Sequence, residues 1–137
     1  MKNIELAKKW VAKAANDILS ADNNIISSKV PCDVVCFHCQ QAAEKLLKAY
    51  LLANDKSYPF SHDLLLLLEK ILEFKAGAEF LREHLVILMP YAVEVRYPDA
   101  FFEPSKDDAF EARETLEIIM NWLKQECPEM FDYEPLE

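Results

Sequence analysis

The sequence predicts an all-α protein, and three observations carry that expectation. Its 137 residues include one glycine, Gly77, too few for glycine-rich phosphate loops, dinucleotide fingerprints or a set of hairpin turns. Alanine, leucine, glutamate and lysine are abundant, and these residues lose least on entering a helix. Apolar residues recur at three- and four-residue spacing along most of the chain, the period of a helix with one buried face. The architecture expected is an antiparallel up-down bundle of four main helices plus a short extra helix. Residues 1–126 would form one bundle around a single core, and 127–137 a loosely held acidic C-terminal tail.

The first helix is expected over 3–27. Ile4, Ala7, Trp10, Val11, Ala14, Ile18, Ala21 and Ile25 share one face, and Asp17 lies at the edge of that stripe. Pro31 suits the entry to a second helix over 32–53. That helix carries two stripes. Cys32, Cys36, Cys39, Ala43, Leu46 and Tyr50 form an apolar face, while Phe37, Gln41, Glu44, Lys48 and Leu51 form a mixed one opposite. The mixed stripe suits a subunit interface or a ligand groove, where an apolar centre is rimmed by polar groups. A polar loop at 54–59 leads to Ser61, the expected N-cap of a third helix running to Phe74 and stopping near Gly77. Its five leucines, 64–68, point in every direction, so it is covered on most sides or offers apolar surface to a partner. A fourth segment over 78–95 contains Pro90, which predicts a kink or break. Ser105 caps a fifth helix ending at Glu126, with Asp107 and Asp108 in its first turn and Ala112, Leu116, Ile119, Met120 and Leu123 as its core stripe.

Charge and cysteine usage narrow the classes. The net charge of −9 divides into +2 over residues 1–50 and −11 over the rest. Such a surface excludes duplex DNA, and confines any nucleotide or RNA contact to the first two helices or to Arg96. No apolar run approaches the ~18 residues of a membrane span, and Lys8 and Lys9 interrupt the N-terminus, so a cytoplasmic protein is expected. Three of the four cysteines sit at helical spacing whose Cβ separation, ~5–6 Å, is too wide for a disulfide. Cys32, Cys36 and Cys39 share their face with Ala43, Leu46 and Tyr50 while His38 points elsewhere. They read as buried thiols, and no metal or cofactor is expected.

Three motifs then appear in order: Phe37-His38-Cys39-Gln40-Gln41-Ala42-Ala43-Glu44-Lys45-Leu46-Leu47-Lys48-Ala49, then Ser61-His62-Asp63-Leu64, then Arg96-Tyr97-Pro98. With Trp10 and Asp17 upstream, the chain resembles the HEPN family over about residues 1–126. The resemblance implies a small helical bundle that is a homodimer, binds nucleotide or RNA, and acts beside a minimal nucleotidyltransferase, frequently as a toxin–antitoxin pair. Many members are metal-independent endoribonucleases with an arginine, four to six intervening residues, and then a histidine. Here those positions hold Phe101, Phe102 and Glu103, and no histidine follows His84. RNA cleavage without a metal needs an acid or base, so the reading leans away from an enzyme and assigns no catalytic residue.

The candidate ligand-binding residues are Gln41, Lys45, Lys48, His62, Arg96 and Tyr97: ammonium and guanidinium groups for phosphate, amide and phenol for base or sugar. The candidate dimer or partner interface is Phe37, Gln41, Glu44, Lys48 and Leu51. Each has a plainer alternative. Glu44 with Lys48 is also a local helix pair, His62 can pack locally, and Arg96 can brace a carboxylate such as Asp17, Asp63 or Asp99. Two further functions stay open: a divergent ribonuclease using Arg96 with Tyr97 or His62, and a bundle that only dimerises and docks a partner.

Overall fold

Five α-helices and three short 3₁₀ segments lie within residues 3–92 and 103–136, the residues described by the computed structural model, and no strand occurs among them. Arg96, Tyr97, Phe101 and Phe102, with the Arg-Tyr-Pro motif, lie outside the described residues. Helix α1, Ile4–Ile25, starts at Asn3, whose side chain accepts from the Leu6 amide, and helix α2 follows at Cys32–Ala53. Two 22-residue helices joined by so short a turn, and packed over an extensive interface, must run antiparallel. Their contact is built from small side chains. Ala7, Ala14 and Ala21, seven residues apart, are fully buried, as are Cys36, Cys39, Ala42 and Ala43 on α2. Small residues let the helix backbones approach closely, so the backbone of α1 serves as one wall of the core.

Helix α3, Leu64–Leu72, is capped by Asp63, whose carboxylate accepts from the amides of Leu65 and Leu66. The expected cap, Ser61, instead accepts from the Asp63 amide with its hydroxyl. The motif thus places a serine to orient the aspartate, and the aspartate to satisfy the helix, a cap worth about 1 kcal/mol. Of the five leucines, Leu64, Leu67 and Leu68 are buried, and Leu66 is the outward one.

The expected kinked fourth helix is three pieces: a 3₁₀ segment at Ala76–Leu81, helix α4 at Arg82–Leu88, and a 3₁₀ turn at Met89–Tyr91 containing Pro90. Of the kink or break expected at Pro90 the break occurs: the α-helix ends at Leu88 and the proline sits in the following turn. Helix α5, Lys106–Glu126, has a full capping box, in which Ser105 accepts from the Asp108 amide and the Asp108 carboxylate accepts from the Ser105 amide. Arg113 of α5 ties it to α1 through Asp22, with Nε–Oδ1 at 2.6 Å, and also reaches Glu117.

The start of the tail is not loose. Pro128–Phe131 forms a 3₁₀ turn packed on α1, with Cys127 and Met130 buried and Phe131 and Tyr133 against the core. Methionine and the aromatics supply what the acidic composition hides: enough apolar surface to hold the segment down.

Burial of proton-releasing groups gives the fold an alkaline limit. Desolvation pushes the Cys39 thiol from 9.0 up to about 12, and the Tyr50 and Tyr91 phenols from 10.0 up to about 12. Between about pH 9 and 12 the unfolded chain has shed protons that the folded chain keeps, so stability falls as pH rises through that window. The urea midpoint is expected to be flat from about pH 7 to 8.5 and to decline steadily above about 9. A flat or rising midpoint up to about pH 11 contradicts this assignment.

Candidate functional site

Polar side chains concentrate on α2, in two connected groups. In the first, Asp17 of α1 is buried and bridges two residues of α2. Its Oδ1 lies 2.8 Å from His38 Nδ1, and its Oδ2 2.5 Å from Lys45 Nζ. The carboxylate at the edge of the apolar stripe on α1 thus pins the two long helices together. Asp63, for its part, serves as the cap of α3.

The second group centres on Glu44, which is also buried. Its Oε2 accepts from Lys48 Nζ at 2.9 Å, and its Oε1 lies 2.8 Å from His62 Nδ1 and 3.5 Å from Gln40 Nε2. Gln40 Nε2 also donates to the His62 backbone carbonyl at 3.3 Å, and Gln41 Nε2 donates to Gln40 Oε1 at 2.7 Å. A carboxylate only accepts, so the His62 contact requires Nδ1–H as the donor. The Lys48 ammonium is 5.6 Å from the Trp10 ring centroid and 5.2 Å from that of Tyr58, and the two rings meet edge-on at 5.5 Å. Lys48 is thereby enclosed by one carboxylate and two aromatic faces, with 7% of its surface exposed.

This geometry reassigns part of the mixed stripe. Leu51 is fully buried, and Glu44 and Lys48 are nearly so, all within a single copy of the chain. Lys48 and Glu44 are covered from within the protomer, by Trp10 on α1 and by Tyr58 and His62 on the loop before α3. Leu51, Glu44 and Lys48 are therefore inside the protomer and not on the outer surface where a subunit interface was expected. The enclosed Lys48 ammonium is paired with the Glu44 carboxylate. Phe37 and Gln41 are half-buried, Lys45 is half-buried with its charge on Asp17, and the His62 side chain is 71% exposed.

Residues not predicted from the sequence complete the site. Gln40 is fully buried and joins both the Gln41 amide and the loop carbonyl. Its one signal is its place beside Gln41, a helical step toward the core. His38 is read from the sequence as pointing away from the cysteine face, and its actual partner is 21 residues upstream. Tyr58 and Phe60 lie in a loop whose composition gives no hint of packing. Among the described residues no cluster of His, Cys, Asp and Glu could hold a metal. Cys36 and Cys39 are buried in the core, apart from His38, which bonds Asp17. The hollows between α1 and the tail, about 360 Å³, and over α4, about 550 Å³, include none of the network side chains.

Fold and site together define a small helical-bundle protein with a buried charged array on its central helix. The HEPN domain family matches residues 7–126, and the chain belongs to that family. Two solved structures are similar in fold. TT1696 from Thermus thermophilus is 24% identical with a TM-score of 0.69, the match covering 88% of this chain and 98% of that one. ST0689, an archaeal HEPN homologue, is 23% identical with a TM-score of 0.67, covering 92% and 98%. No curated protein matches. No helix among the described residues is long and apolar enough to cross a membrane.

Proposed function

We propose that this HEPN chain is a non-catalytic nucleotide- or RNA-binding module that acts as a homodimer beside a minimal nucleotidyltransferase, in a toxin–antitoxin-like pair. The observation that supports it is the charged array on α2. Burying Asp17, Glu44, Gln40 and Lys48 in an otherwise apolar bundle costs desolvation that hydrophobic residues of similar volume would avoid. Buried polar groups that are hydrogen-bonded in this way are held in fixed positions. Here the fixed outer members are Gln41, Lys45 and His62, which meet base and phosphate with Arg96 and Tyr97. Lys48 acts behind them by holding Glu44, and Phe37 and Gln41 form the outward face for a second subunit.

Titration of the purified chain with ATP, GTP and a short single-stranded RNA tests this by calorimetry. Saturable heat is expected, with affinity reduced roughly tenfold or more in Arg96→Ala, the loss of a charge-assisted contact. No heat at millimolar ligand removes the binding function and leaves a docking bundle. One observation favours a ribonuclease as second reading: His62 is an exposed imidazole held in one tautomer by a buried carboxylate. RNA added in the same titrations and recovered intact eliminates it.

A further inference from the structure

The loop between α2 and α3 carries Phe60, which is 99% exposed. A phenyl ring left wholly in water contributes nothing to the apolar core, so packing of the fold does not account for it. Nor is it a ring on a loose loop. Its neighbour Tyr58 meets it edge-on at 6.2 Å and packs in turn against Trp10 and over Lys48. Two residues beyond Phe60, the His62 backbone is held by Gln40 and its ring by buried Glu44. The Ser61 hydroxyl is fixed by the Asp63 amide. Phe60 is thus a free-standing ring on a segment anchored at both sides.

The surroundings decide what would cover it. A stable protein interface buries about 800 Å² per partner around an apolar centre of several side chains, whereas Phe60 is the one exposed large apolar side chain on this loop. Its neighbours along the chain are Tyr58 and Pro59 on one side and the polar Ser61, His62 and Asp63 on the other. A flat heteroaromatic group fits better, because it stacks on one face while its edge keeps hydrogen bonds. His62 Nε2 is the accessible ring nitrogen once Nδ1 is committed to Glu44, and it can meet that edge. We infer that Phe60 and His62 form a stacking site for an unpaired nucleobase, with the ring supplying the platform and the imidazole an edge contact. The site rests on the nucleotide-binding function proposed above and adds the residue that reads the base.

The full chain, Phe60→Ala, Phe60→Trp and, as a surface control, Phe80→Ala are titrated with AMP, a four-nucleotide oligoadenylate and base-less ribose 5-phosphate. Phe60→Ala is expected to weaken oligoadenylate and AMP roughly tenfold or more, with ribose 5-phosphate and the control unchanged. Phe60→Trp is expected to retain binding and to show fluorescence quenching as the base stacks. Because the ring is exposed, each variant should keep the parent's melting midpoint. Oligoadenylate binding unaffected by Phe60→Ala overturns the stacking site and leaves the nucleotide-binding function standing. Equal weakening of ribose 5-phosphate overturns it too, since no base is then being read. Absence of any binding by the parent chain overturns both.

Discussion

Glu44→Ala is expected to lower unfolding free energy by about 3–5 kcal/mol, the cost of stranding one charge of a buried pair. The substitution removes the partner of Lys48 Nζ at 2.9 Å and of His62 Nδ1 at 2.8 Å. Among the described residues the ammonium then faces Trp10 and Tyr58, and two ring faces return about 0.5–2 kcal/mol, short of the several kcal/mol that desolvating it costs. The double variant Glu44→Leu with Lys48→Met removes both charges and should recover most of the loss. Urea unfolding of parent, single and double variants measures this. A single-variant loss under about 1 kcal/mol, or a double variant no better than the single, means that Lys48 swings into water along its flexible stem and the enclosure is not tight.

Leu51→Ala should cost about 2.7–5.0 kcal/mol, because deleting a fully buried leucine removes transfer energy and leaves a cavity. The informative part is how that loss depends on protein concentration. A leucine inside the protomer destabilises each copy equally at any concentration. A leucine between subunits would instead shift the dissociation midpoint, with stability recovering as the protein is concentrated. Thermal unfolding across a roughly hundredfold concentration range separates the two. A loss that disappears at high concentration would return Leu51 to the interface that its place in the mixed stripe suggests.

That stripe shows where reading a sequence stops. Helix periodicity locates α1, α2 and α5 to within a residue or two, because each buries one broad face at regular spacing. Periodicity reports that Phe37, Gln41, Glu44, Lys48 and Leu51 share a side, but not what lies over it. The cover is a loop, Tyr58 to His62, whose position depends on contacts with α1 and α2 that no local pattern encodes. The region after α3 differs from expectation for a related reason. Ala76–Leu81 and Met89–Tyr91 are 3₁₀ segments, and their apolar spacing resembles an α-helix too closely to separate by eye. The site is partly legible. Gln41, Lys45 and His62 stand in the motifs, but Asp17 can be matched to His38 and Lys45 only once two helices are laid side by side. Charge pairs far apart in sequence, such as Asp22 with Arg113, leave no signature at all.

The alanine-lined contact between α1 and α2 has a kinetic consequence. It joins neighbours in sequence, so closing it takes only a short loop and little entropy, whereas the Asp22–Arg113 pair spans 91 positions. The hairpin is therefore the natural nucleus, with α5 arriving afterwards. A change at the alanine seam would slow the forward reaction, while one at the Asp22–Arg113 clasp would chiefly hasten the reverse.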